Sequence, residues 1–149
     1  MTLPTNRWFA ATLLLAGFAA GSLITARFMS PVKAEAAANR VYELRTYHTL
    51  EGRLPALEKR FRDHTMRIFE KHGMKNVGYW IPQDGPAHSN TLIYIISHAS
   101  REAAKANWAA FGADPEWKKV AADSQLDGKI LDGAPVSVYM DPTDYSPVK

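Results

Sequence analysis

A chain of 149 residues without a single cysteine has no disulfide framework, no cysteine-ligated zinc and no iron–sulfur cluster. Of its 18 basic and 15 acidic side chains, residues 1–36 hold Arg7, Arg27, Lys33 and Glu35. That leaves 15 basic and 14 acidic groups, a net +1, on the 113 residues from 37 to 149. So balanced a stretch lacks the basic stripe of a nucleic-acid-binding protein, and its length suits one domain around one core.

The first 36 residues read as an export leader. Trp8 to Ala26 is free of charge, and Ala34-Glu35-Ala36 offers a small-x-small cleavage site before Ala37. The alternative is an uncleaved signal anchor. Residues 8–26 would span ~29 Å as a helix, close to the thickness of a bilayer core. On either reading residues 37–149 are expected outside the cytoplasm, periplasmic or secreted, touching a membrane only through an uncleaved leader.

Val41 to Thr49 reads as the first strand. Alternation puts Val41, Glu43, Arg45 and Tyr47 on one face and Tyr42, Leu44, Thr46 and His48 on the other. A carboxylate, a guanidinium and a phenol sharing a strand face predict a polar cavity, because core strands avoid unpaired ionisable groups. A helix is expected from Leu54 to His72, with Pro55 in its first turn and Gly73 as its cap. Leu54, Leu57, Phe61, Ile68 and His72 form its apolar stripe, and at 100° per residue His64 falls in the middle of that stripe.

Asn76 to Pro82 predicts a second strand, with Gly78 marking a bulge or the close approach of a bulky group. After a loop containing Asp84-Gly85-Pro86, Thr91 to Ser97 predicts a central third strand, hairpin-paired with the second. Ser100 caps a helix from Arg101 to Phe111, with Ala104, Trp108 and Phe111 on one face. Asp114-Pro115-Glu116 starts another, which runs to Gln125 and buries Trp117 and Val120. Ala134 to Met140 predicts the last strand.

The order β-α-β-β-α-β predicts an α+β, ferredoxin-like domain, a four-stranded antiparallel sheet with helices on one face. In the third strand Leu92, Tyr94 and Ile96 alternate with Ile93 and Ile95, so both sheet faces are apolar. The uncovered face is therefore expected to be buried by a second copy, as a dimeric α/β barrel.

Several separated segments resemble the NIPSNAP family. They are Tyr42–Thr49 followed by Glu51–Arg53, the helix Phe61–Met74, Gly78-Tyr79-Trp80, Asp114–Lys119 and the tail Pro142–Pro147, spread over roughly residues 40–147. NIPSNAP domains are similar to the dimeric α/β barrel superfamily, so the resemblance implies that fold and a homodimer. The superfamily includes cofactor-less monooxygenases, isomerases and dehydratases acting on small, often aromatic molecules, and haem enzymes. The resemblance assigns no particular reaction, and some NIPSNAP proteins serve in binding or signalling.

The candidate site joins Glu43 and Arg45 with His64, walled by Tyr47, Trp80, Tyr94 and Trp108. A histidine held between apolar neighbours and a carboxylate suits a general base, and a guanidinium suits a carboxylate or enolate. The structural alternative is a Glu43–Arg45–His64 network that ties strand to helix without turnover. No histidine spacing suits a metal, and no glycine-rich phosphate loop occurs, so neither metal nor cofactor is expected. Three readings follow: an exported domain binding a small, partly apolar or aromatic molecule; a cofactor-independent monooxygenase or isomerase with a histidine base; or a membrane-tethered interaction module.

Overall fold

A computed structural model describes residues 40–148. The expected leader with its cleavage position before Ala37, and the alternative anchor at residues 8–26, fall outside the described residues. Among those described, no helix is long and apolar enough to cross a membrane.

Strand β1 (Val41–His48) lies inside the sheet. It pairs antiparallel with β3 (Thr91–His98), from Val41↔His98 to His48↔Thr91. On its other side it pairs with β4 (Val136–Met140), from Tyr42↔Met140 to Thr46↔Val136. Strand β2 (Lys75–Trp80) extends the far edge of β3. The order β2-β3-β1-β4, antiparallel throughout, is the ferredoxin-like arrangement that the element order β-α-β-β-α-β predicts.

The first helix is not continuous. Helix α1 (Leu54–Arg60) passes into a π turn (Phe61–Thr65) before α2 (Met66–Lys71) completes it. The Met66 N–H reaches back five residues to the Phe61 carbonyl, and Thr65 Oγ1 donates to the Arg60 carbonyl at 3.1 Å. A π turn accommodates one extra residue and so delays the buried phase by one. Thr65, Ile68 and Phe69 are buried, whereas His64 is exposed. The expectation that His64 sits within the apolar stripe is therefore corrected.

Beyond a short α3 (Ala87–Asn90), α4 (Arg101–Ala113) starts on the Ser100 hydroxyl, which accepts from the Ala103 N–H at 3.1 Å. Helix α5 (Pro115–Asp123) starts on Asp114, which accepts from the Glu116 N–H at 2.8 Å. The same buried carboxylate accepts from Lys71 Nζ at 2.8 Å and His72 Nε2 at 2.6 Å, clamping the end of α2 to the start of α5. These partners, the lysine first, hold Asp114 well below the usual carboxylate range.

Between helices and sheet, Leu57, Ile68, Phe69, Met74, Tyr94, Ile96 and Ile130 are almost wholly withdrawn from water. Each large apolar side chain so placed contributes about 1.5–3 kcal/mol. Among the described residues no helix packs on the opposite sheet face, where Trp80, Val136 and Val138 are exposed.

Strand β2 carries a bulge between Asn76 and Gly78. Asn76 turns toward α2, where its amide donates to the Met66 carbonyl at 3.0 Å. Past the bulge Tyr79 pairs with Tyr94 and stacks on it at 5.2 Å, while Trp80 pairs with Ile93 on the open face. A Cβ at Gly78 would lie 2.5 Å from the Trp80 ring, so bulge and close approach occur together.

Candidate functional site

Glu43 organises the polar cluster between sheet and helices. Its position on β1 faces the helices, and its carboxylate is completely buried. Oε1 accepts from Arg45 at 2.7 Å and from the Ser137 hydroxyl of β4 at 2.6 Å. Oε2 accepts from His98 Nε2 of β3 at 3.0 Å and Trp108 Nε1 of α4 at 2.6 Å. Two donors per oxygen use the capacity of a carboxylate. Burial alone would raise the Glu43 pKa, but the bonds from His98, Ser137, Trp108 and Arg45 outweigh it and bring it down to about 2.

The cluster continues behind Glu43. His98 is fully buried, and its Nδ1 lies 3.4 Å from the Asn107 amide nitrogen. With Nε2 donating to the carboxylate, the network assigns Nδ1 as the acceptor. The Asn107 amide also donates to the Gly73 carbonyl at 3.2 Å, where a backbone φ of +74° closes the first helix. Both nitrogens of His98 thus face partners within the cluster.

Arg45 is different. Its carbon Cζ lies 4.4 Å from the centre of the Trp108 ring and 5.5 Å from that of Tyr47. Glu43 holds one terminal nitrogen, while the buried Nε has no partner among the described residues. Burial opposes the Arg45 charge, but the hydroxyls of Tyr47 and Tyr94 and the carboxylate of Glu43 more than compensate, raising its pKa. The Tyr94 hydroxyl donates to that of Tyr47 at 3.2 Å. A groove of about 490 Å³ lies outside Trp108, lined by Arg101, Glu102, Lys105, Trp108 and Tyr139, with Arg101 3.1 Å above the Tyr139 ring.

The structure therefore brings Glu43, Arg45, Tyr47, Tyr94 and Trp108 together and leaves two expected members elsewhere. His64 lies in a different groove, beside Asp63 and Lys119, because the π turn rotates it away. Trp80 is half exposed on the open face, because the bulge reverses the alternation of β2. His98, Asn107 and Ser137 take part without having been singled out. Parity along β3 puts His98 on the face of Tyr94, so it was accessible to the argument that found Tyr94. Ser137 depends on the pairing of Arg45 with β4, which no local pattern supplies.

Sheet order and helix placement define an α+β, ferredoxin-like domain with an ion-paired cluster between its layers. The NIPSNAP family model matches residues 42–147, and the chain belongs to that family. The crystal structure of a NIPSNAP family protein of unknown function from Agrobacterium tumefaciens superposes with a TM-score of 0.63. It is 27% identical, over 75% of this chain and 96% of that one. An uncharacterized NIPSNAP-like domain protein from Burkholderia xenovorans also gives 0.63, at 18% identity over 74% and 90% of the two chains, a likeness of fold alone. None of the curated protein sequences matches this chain.

Proposed function

We propose that this NIPSNAP domain binds a small, partly apolar anion at Arg45, between sheet and helices, and does so as a homodimer. The observation that supports the site is the guanidinium itself. One edge is pinned by Glu43 and one face is covered by Trp108, while Nε has no partner. A guanidinium fork suits the two oxygens of a carboxylate. The aromatic rings of Tyr47 and Trp108 suit an apolar body. Native mass spectrometry of the full chain from its own host tests this against Arg45→Lys, which keeps the charge and loses the fork. A bound organic acid on the wild type that is absent from the variant is expected. An acid held equally by both contradicts the reading.

A histidine-based oxygenase or isomerase draws less support, since His64 lines a groove that does not include Arg45 and His98 is fully buried against Glu43. The membrane-tethered reading depends on residues 8–26 staying attached. For the dimer, support comes from the open sheet face, where Val136 is 54% and Val138 48% exposed. Trp80 and Val77 extend this apolar surface, and a groove of about 510 Å³ crosses it beside Tyr42, Ile95 and Met140. A second copy related by a two-fold axis would offer the same surface in return.

A further inference from the structure

We infer that the groove between α1, the π turn and α5 is a second binding site, built around Arg60, for small monocarboxylates with a hydrocarbon body. This groove of about 680 Å³ is lined by Arg60, Ser124, Ala56, Val120 and Leu126, with charged residues along its sides.

Every carboxylate lining it already has a cation. Asp63 pairs with Lys59, Asp123 with Lys119, Asp127 with Arg53, and Glu116 with Arg67 and Lys71. Arg60 has none among the described residues. It is only 5% exposed, yet its Nε has no hydrogen-bond partner. Its one bond is a long contact of 3.4 Å to Ser124 Oγ, whose own proton goes to the Ala121 carbonyl at 3.1 Å. Its guanidinium carbon lies 5.4 Å from the centre of the Trp117 ring.

A buried cation without a counter-charge is costly, and a guanidinium does not escape that cost by losing its proton. Burial pushes the Arg60 pKa down, with Tyr47 and Tyr94 acting against it. The π turn begins at the next residue, and such turns gather at functional sites.

Charge and surface together select the ligand class. One guanidinium fork matches one carboxylate. The flanking Asp63 and Asp123 disfavour a second negative charge even though each is paired. Ala56, Val120 and Leu126 present hydrocarbon, and Leu126 at 87% exposure has nothing else covering it. The two guanidiniums have different aromatic covers, Trp117 for Arg60 and Trp108 for Arg45.

Nuclear magnetic resonance of the full chain tests this with hexanoate as the probe and hexanol as its uncharged counterpart. Hexanoate is expected to shift the Trp117 indole and Ser124 amide signals saturably, and hexanol is not. Arg60→Met, which keeps the stem and removes the charge, should weaken hexanoate at least tenfold, while Arg45→Lys leaves it unchanged. Leu126→Ser alters only an exposed rim residue, and should weaken binding severalfold even if Arg60→Met fails to fold. The inference is overturned by unaltered affinity in Arg60→Met or Leu126→Ser, by an equal response to hexanol, by no saturable response, or by a response confined to Trp108.

Discussion

Glu43 holds its position by four hydrogen bonds, one from Arg45 on its own strand and three from β3, β4 and α4, so its removal is felt across the sheet. Glu43→Ala leaves Arg45, His98, Trp108 and Ser137 without their acceptor and should cost about 3–5 kcal/mol in urea unfolding. The pH dependence follows from the lowered pKa. Glu43 binds its proton less readily folded, at about 2, than at its ordinary 4.5. Its stabilisation is therefore complete above about pH 4.5 and is lost as pH falls through 2. That component is on the order of 3 kcal/mol, and Glu43→Gln should remove its slope from a urea series between pH 5 and 2. The two histidines give the opposite contrast to the one sequence periodicity suggests. His64→Ala, at an exposed position, should change stability by no more than about 0.5 kcal/mol. His98→Ala opens a void and strands both Glu43 and Asn107, at a cost of about 3 kcal/mol.

At the scale of elements, the two misplaced residues have one cause. Periodicity assumes an uninterrupted element, and both the first helix and β2 contain one residue more than their period allows. In the helix the extra residue lies within Phe61–Thr65 and exchanges His64 for Thr65. In the strand it lies between Asn76 and Gly78 and exchanges Trp80 for Tyr79. Gly78 carried a visible signal, since a glycine inside a strand marks a bulge or a close approach. The π turn had none, because Phe61–Thr65 has ordinary helix-forming neighbours. Where no insertion intervened, alternation held: Glu43, Arg45 and Tyr47 face the helices, while Tyr42, Leu44 and Thr46 face away. The caps were equally readable, as Ser100 and Asp114 stand where their helices start. Gly78→Ala should cost about 1 kcal/mol, because the new methyl displaces the Trp80 ring. In a Trp80→Ala background the same change should be nearly neutral, and a double-mutant cycle in urea measures the difference.

For the whole molecule, the element order was enough to predict a ferredoxin-like sheet, because β-α-β-β-α-β with short connections leaves few other solutions. Which polar groups meet at the centre depended on register, and local pattern does not carry register. The apolar outer face predicts self-association. Val138→Glu, at the middle of that face, should convert a sedimenting dimer to monomer without loss of helical signal, whereas a wild-type monomer at micromolar concentration would contradict the dimer. If residues 1–36 are the export leader that their pattern suggests, intact-mass analysis of protein recovered outside the cytoplasm should show them removed, and their retention would favour the anchor.

Anion binding at Arg45 is what the proposed function requires. The most direct measurement follows the Trp108 indole N–H signal of the full chain by nuclear magnetic resonance during titration with benzoate. This N–H bonds to Glu43, and the ring lies against the Arg45 guanidinium. A saturable shift, abolished in Arg45→Lys and unchanged in Arg60→Met, is the predicted result. A Trp108 signal indifferent to benzoate, with both variants folded, would contradict a ligand site at Arg45 and leave the Glu43 cluster as a structural tie between sheet and helices.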